Sequence, residues 1–143
     1  MSEQDNRRLL EEAYEAINRR DMDAHVKLLD ENYVWENDAF PTPYKGREGS
    51  RQAFNMYFAA FPDLKLEIEQ VIASGDHAVA RWRATGTHKG EYKGIAPTNR
   101  QFNVRGCNVH EIQNGRITKT VGYSNELTLM QQLGASMAKA AGR

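Results

Sequence analysis

A change in hydrophobic periodicity near Pro62 is the feature that most constrains the fold. Before it, apolar residues recur at spacings of three and four over Leu9–Ile17 and Ala53–Phe61, which predicts amphipathic helices. After it, residues 64–69 alternate between apolar and charged side chains, as in a half-buried strand. Helices followed by strands are typical of an α+β fold.

Turn and capping signals divide each half further. Asp21 is placed to cap a second, short helix, and Gly134 is placed to end a last helix that starts near Leu127. Asn114-Gly115 predicts a two-residue hairpin, because both turn positions need positive φ. The remaining predictions are a short strand over 33–35, a loop over 38–46, strands over 77–88, 101–113 and 116–123, and a glycine-rich connection over 89–99.

The predicted sheet has about four long antiparallel strands, with three N-terminal helices packed on it. Such a sheet twists strongly enough to curl, and helices covering one side turn it into a cone with one open end. A cone of this kind is a natural pocket for an apolar small molecule. We expect a single domain over residues 1–143, with its core at about 7–134.

Composition excludes several classes of function. The chain has 143 residues, and 19 Lys and Arg balance 19 Asp and Glu, which argues against a nucleic-acid binder with a broad basic face. The longest apolar run, Met56–Phe61, has six residues, so no membrane span is expected. The polar N-terminus shows no signal peptide. With one cysteine, Cys107, predicted to be buried, a cytoplasmic protein is expected.

No metal or cofactor is predicted. The four histidines have no zinc-binding spacing, and Cys107 has no partner nearby,. Phosphate-binding loops, dinucleotide fingerprints and nucleophile elbows are also missing from the sequence.

Four segments, taken in order, resemble the SnoaL-like polyketide cyclase (ester cyclase) family of the nuclear-transport-factor-2-like superfamily. They are Phe61-Pro62-Asp63-Leu64, residues 86–98 (GTHKGEYKGIAPT), Asn114-Gly115-Arg116-Ile117 and residues 129–134 (LMQQLG). The similarity covers about Arg7 to Gly134. It implies a cone-shaped α+β barrel, usually dimeric, that needs no metal or organic cofactor. Members of the family include cyclases that close a polyketide ring by an intramolecular aldol reaction.

Asn125 stands where the resemblance implies an acidic general acid/base. Asparagine donates and accepts hydrogen bonds but takes no proton at useful pH. If the family register holds, Asn125 shares a cavity-lining face with Val121 and Tyr123. We expect it either to donate to a substrate carbonyl or enolate oxygen or to cap the last helix. Val121 and Ser124 are small, which indicates an altered cavity.

Three further residues are candidates for acid/base chemistry. Glu36 follows the first strand, where its position resembles that of the carboxylate base of ketosteroid isomerases; the alternative is a surface carboxylate. His88 ends a strand at the predicted cavity edge, or holds the glycine-rich loop. His110 faces the same core or cavity, or is a hydrogen-bonded core histidine. His25 and His77 are expected on the surface.

The predicted site is one internal pocket. Asn125, Tyr123, Glu36, Tyr57 and Trp35 are expected to converge there, with His88 or His110 at its edge. Trp82 is expected to line the same pocket, and Tyr57 and Tyr123 could supply phenolic donors. The opposite face of the sheet, with Arg81 and Arg83, is expected to be solvated or to form a homodimer.

Three functions remain open at this point. The favoured one is an enzyme that performs cofactor-free acid/base chemistry on an apolar carbonyl compound such as a polyketide. The second is a binding protein that has lost catalysis, because Asn125 replaces the acid. The third is an enzyme of hydroxylation or epoxide opening, in which Asn125 positions water or substrate. A deep, wet pocket with Glu36 or a histidine near Asn125 favours an enzyme, and a wholly apolar pocket favours a carrier.

Overall fold

A computed structural model describes residues 2–135 of the chain; residue 1 and residues 136–143 lie outside the described part. The helices are α1 (Glu3–Asn18), α2 (Met22–Lys27), α3 (Gly46–Ala60) and α4 (Glu126–Gln132). The strands are β1 (Leu29–Asn37), β2 (Tyr44–Lys45), β3 (Lys65–Ser74), β4 (His77–Thr87), β5 (Gln101–Gln113) and β6 (Arg116–Ser124). The predicted α+β class is confirmed, and the single domain over 1–143 stays a prediction.

Three helix signals of the sequence are found in the structure, whereas α3 begins at Gly46, seven residues before the predicted stripe. Asp21 accepts a hydrogen bond from the Ala24 amide at 3.0 Å and so caps α2. The apolar stripe of α1, from Leu9 to Ile17, is buried, so this helix covers the sheet with one face. Gly134, with φ +80°, follows α4.

Six strands form one curled, unclosed sheet in the order β2-β1-β6-β5-β4-β3. Strands β3 to β6 make the predicted antiparallel meander. Asn114 and Gly115 join β5 to β6 with φ of +53° and +75°, as the hairpin requires.

The prediction of a purely antiparallel sheet is wrong at one edge, because β1 pairs with β6 in parallel. Most of the chain lies between these two strands, so no short hairpin forces an antiparallel direction. Strand β1 is also longer than predicted: the polar residues 30–32 interrupt its apolar pattern, and its register with β6 shifts between Leu29 and Val34. Part of the predicted loop forms β2, in which Tyr44 pairs with Trp35.

Two clusters of buried apolar residues lie between the helices and the concave face of the sheet. One surrounds α1 and includes Leu10 and Ile112. The other includes Phe61 and Phe102. Trp82 packs against both clusters, so it lies where the two halves of the interior meet.

The convex face of the sheet carries a second set of side chains. Val79, Val109 and Val121 pair across β4, β5 and β6. Cys107 lies in the next row, opposite Arg81 and Tyr123. It is half-buried, so the prediction of a buried core cysteine is wrong. None of the helices within residues 2–135 is long and apolar enough to cross a membrane.

Candidate functional site

A cavity runs between the two apolar clusters. Its volume is about 120 Å³, and most of its wall is apolar. The wall near α1 and α2 consists of side chains less than one-tenth exposed, such as Ala13, Ile17 and His25. At the other end Ser124 and Asn125, just before α4, are exposed. The cavity is therefore closed near α1 and opens beside the start of α4.

Four polar side chains form a hydrogen-bonded network at the closed end. Asn108 Nδ2 donates to Tyr14 Oη at 2.8 Å. Tyr14 Oη lies 3.1 Å from His110 Nε2, and His110 Nδ1 lies 2.8 Å from Thr120 Oγ1. When Tyr14 donates to Nε2 and Nδ1 donates to Thr120, every nitrogen and oxygen in these contacts has a suitable partner.

The groups of this network are neutral. Burial, and to a smaller extent the charge of the nearby His25, lowers the pKa of His110 to about 3. Burial raises the pKa of Tyr14. Because desolvation disfavours the charged forms, His110 is an uncharged imidazole and Tyr14 a protonated phenol at neutral pH.

His25 lines the closed end from α2, so the prediction of a surface histidine is wrong. It is 6% exposed, its Nδ1 lies 2.9 Å from the Ala13 carbonyl oxygen, and its ring meets Phe54 edge-on at 5.5 Å. Burial lowers its pKa to about 4. Helix α2 is six residues long, too short for a periodic pattern to show which side chains point inward. His77 is exposed, as predicted.

A carboxylate, Glu126, lies in the cavity wall at the open end. Its Oε1 accepts hydrogen bonds from Tyr92 Oη at 2.7 Å and Lys93 Nζ at 3.0 Å. The ring of Tyr57 lies 6.2 Å from that of Tyr92. Burial, and to a smaller extent the charge of Glu126, raises the pKa of both tyrosines, so both phenols remain protonated donors.

Asn125 caps α4 and also lines the cavity, so it meets the structural requirements of both roles that the sequence left open. Its Oδ1 accepts from the Thr128 amide at 2.9 Å and caps α4. The residue also lines the cavity mouth. Its Nδ2 donates to no side chain or carbonyl among residues 2–135, so the amide N–H groups remain available to a ligand. The role in catalysis stays a prediction.

A sequence profile of the SnoaL-like polyketide cyclases matches residues 7–133. The chain belongs to the SnoaL-like polyketide cyclase family. No curated protein matches it significantly.

Solved structures share the fold over nearly the whole chain. IdmH of Streptomyces antibioticus, a proposed polyketide cyclase, is 29% identical with a TM-score of 0.78, over 89% of this chain and 96% of its own. AclR of Streptomyces galilaeus, a proposed hydroxylase, is 24% identical with a TM-score of 0.82, and the match covers 93% of this chain and 98% of AclR. A protein of Catenulispora acidiphila with the ketosteroid isomerase-like fold is 17% identical with a TM-score of 0.78, over 90% and 93%. The nuclear-transport-factor-2-like fold is therefore confirmed.

Five of the eight predicted site residues of this SnoaL-like chain line the cavity: Trp35, Tyr57, Trp82, His110 and Asn125. The indole ring of Trp82 lies against Gly106, where a Cβ atom would collide with it. The Nε1 atoms of Trp35 and Trp82 are buried without a hydrogen-bond partner in the described chain.

Glu36 and Tyr123 lie outside the cavity, on the convex face of the sheet, so their predicted placement is wrong. Tyr123 is 58% exposed. Glu36 pairs across the strands with Val121, and its Oε1 lies 3.6 Å from Lys119 Nζ. For Tyr123 the cause is an irregularity in β6: Thr118 is an extra residue in the register with β5, which reverses the inward and outward alternation after it. Glu36 follows the cavity-lining Trp35 on β1, and successive side chains of a strand point to opposite faces.

His88 is fully buried away from the cavity, where it holds the glycine-rich loop. Its Nδ1 lies 3.1 Å from Thr98 Oγ1 and accepts from the Thr98 amide at 3.3 Å. Its own amide donates to the Arg100 carbonyl at 2.9 Å. The predicted place of His88 at the cavity edge is wrong, and the alternative of a loop-holding histidine is confirmed.

The sequence analysis missed several polar residues of the site, among them Tyr14, Tyr92, Asn108, Thr120 and Glu126. A signal existed for two of them. Asn108 is two residues from His110 on one strand and so shares its face, and Glu126 adjoins Asn125 in the first turn of the last helix. Within residues 2–135, no group of three or more His, Cys, Asp or Glu side chains could hold a metal ion.

Proposed function

We propose that this protein is a cofactor-free enzyme that performs acid/base chemistry on an apolar carbonyl compound, with cyclisation of a polyketide-type ester as the favoured reaction. The observation that carries the proposal is Glu126, a carboxylate in the wall of an otherwise apolar cavity. It adjoins Asn125, which stands where the resemblance to the family implies an acidic residue. Glu126 therefore offers the proton acceptor that Asn125 lacks.

Glu126 is the proposed general base. Its Oε1 is held by Tyr92 and Lys93, which fixes the carboxylate, and Oε2 is left for the substrate. The base removes a proton from the carbon next to a carbonyl group, and the electron pair of that C–H bond moves into an enolate. Attack of the enolate carbon on a second carbonyl closes the ring, and the protonated Glu126 returns its proton to the new alkoxide.

Asn125 is the proposed donor to the enolate oxygen. Because its Oδ1 is bound to the Thr128 amide, the orientation of its carboxamide is set before the substrate arrives. A pre-oriented donor costs no reorganisation when negative charge develops on the oxygen. The cap and the proposed catalytic role are thus compatible in one residue.

The cavity limits the size of the group that reacts inside it. Ligand pockets for drug-sized molecules usually measure about 300–1,000 Å³, whereas an engineered cavity of about 150 Å³ in another protein binds benzene. With about 120 Å³, this cavity suits one ring, and the rest of a longer polyketide would extend past the start of α4.

A non-catalytic binding protein is the second candidate. One observation favours it: the oxygen of Asn125 serves as a helix cap, as in a residue kept for structure alone. A binder would retain the cavity and the donors but would gain nothing from Glu126 as a base.

The test is turnover of an aromatic polyketide ester by wild type and four variants. Glu126→Gln should lose roughly 10²–10⁴-fold, the usual effect of removing a general base. Asn125→Ala should lose on the order of 10²-fold, and Asn125→Asp should retain activity or exceed wild type. Glu36→Gln is the matched control on the convex face and should match wild type. Tight binding without turnover in wild type would favour the binding protein.

We also propose a homodimer through the convex face of the sheet. The support is the row of Val79, Val109 and Val121 together with the exposed ring of Tyr123. Light scattering at micromolar concentration should give twice the mass of one chain, and a Tyr123→Lys variant should weaken the association.

A further inference from the structure

His25 is a buried polar group that the proposed mechanism does not use. Its Nδ1 lies 2.9 Å from the Ala13 carbonyl oxygen. A carbonyl oxygen only accepts hydrogen bonds, so Nδ1 carries the ring proton and Nε2 presents a lone pair. Among residues 2–135, no side chain or backbone group donates to this Nε2.

The surroundings of His25 offer no internal donor. His110 is close enough for the charge of His25 to influence its pKa, but both of its nitrogens are engaged by Tyr14 and Thr120. Phe54 covers His25 edge-on. His25 lines the cavity, so a hydroxyl group of a ligand at this end of the cavity can supply the donor that the protein does not.

We propose that His25 is a specificity-determining residue, whose Nε2 accepts a hydrogen bond from a hydroxyl group at the buried end of the ligand. This inference rests on the proposed function and adds the chemistry of the inner end. A ketone, an ether or a carboxylate presents only lone pairs to Nε2 and is disfavoured there. The hydroxyl lies inward while the reacting carbonyl lies outward, beside Glu126 and Asn125.

The protonation state of His25 agrees with this choice. Burial lowers its pKa to about 4, so the imidazole is neutral at neutral pH. A neutral imidazole with its proton on Nδ1 accepts one hydrogen bond at Nε2 and attracts no anion.

The test compares two probes that fit one ring, phenol and toluene, by titration calorimetry. Phenol is better hydrated than toluene, so the informative quantity is the ratio of their affinities in each variant. The affinity for phenol divided by the affinity for toluene should be roughly tenfold lower in His25→Phe than in wild type, which is the scale of one hydrogen bond. His25→Gln keeps an acceptor while its amide donates to Ala13, and should recover most of the ratio. His77→Phe, an exposed histidine, is the control and should match wild type.

Each outcome decides a separate claim. Equal ratios in wild type and His25→Phe would overturn the role of His25 while leaving the proposed function intact. Failure of both probes to bind wild type would overturn the cavity as a ligand site, and both proposals with it. If His25→Phe does not fold, nitrogen NMR of the wild-type protein tests the same contact. The His25 Nε2 resonance should be that of an unprotonated nitrogen. It should shift when phenol is added but not when toluene is added. An unchanged resonance would overturn the inference.

Discussion

Acidification should destabilise this protein through its two buried histidines. Burial lowers the pKa of His25 to about 4 and of His110 to about 3, whereas an unfolded histidine titrates near 6.5. Below pH 6.5 these histidines therefore bind protons in the unfolded chain but not in the folded chain. The free energy of unfolding consequently falls as the pH falls. At 1.36 kcal/mol per pH unit, each histidine lowers this free energy by about 3 kcal/mol between pH 6.5 and 4.

Urea unfolding at pH 7 and pH 4.5 measures this effect. His25→Gln keeps a donor for the Ala13 carbonyl but does not titrate. From pH 7 to pH 4.5, the free energy of unfolding of His25→Gln should fall by about 2–3 kcal/mol less than that of wild type. His77→Gln removes an exposed histidine and should lose as much as wild type, since acidic groups such as Asp63 titrate in all three proteins. Equal losses in wild type and His25→Gln would refute a neutral, buried His25.

Two other substitutions probe the cavity wall. Gly106→Ala places a Cβ against the ring of Trp82, so tryptophan fluorescence should change and urea unfolding should show a loss of about 1–3 kcal/mol from overpacking; unchanged fluorescence would contradict the contact. Tyr14→Phe leaves the Asn108 amide and His110 Nε2 without their shared partner, and urea unfolding should show a loss of about 1–3 kcal/mol; a neutral effect would mean that the network contributes nothing to stability.

The fold was predictable because local signals and tertiary structure agree. The apolar stripe of α1, the Asp21 cap and the Asn114-Gly115 turn each act within a few residues, and each is found where the sequence places it. The parallel pairing of β1 with β6 was not predictable in this way. It joins residues nearly ninety positions apart, and no turn between them sets the direction.

The site was less predictable because it depends on which way single side chains point. One extra residue, Thr118, reverses the alternation of β6 and moves Tyr123 from the expected cavity to the convex face. Asn125 reaches the cavity only because β6 ends at Ser124. His25 lies on a helix too short to show a period. These are properties of register and element length, which composition and spacing do not encode.

The most direct test of the central claim needs no knowledge of the natural substrate. Acetophenone carries one ring and one carbonyl group, and exchange of its methyl protons in D₂O, followed by proton NMR, reports removal of a proton next to a carbonyl. Wild type should accelerate the exchange over buffer, Glu126→Gln should lose roughly 10²–10⁴-fold of that acceleration, and Glu36→Gln should retain it. If acetophenone binds in the cavity and wild type exchanges its protons no faster than buffer, the protein is not an acid/base enzyme of this kind.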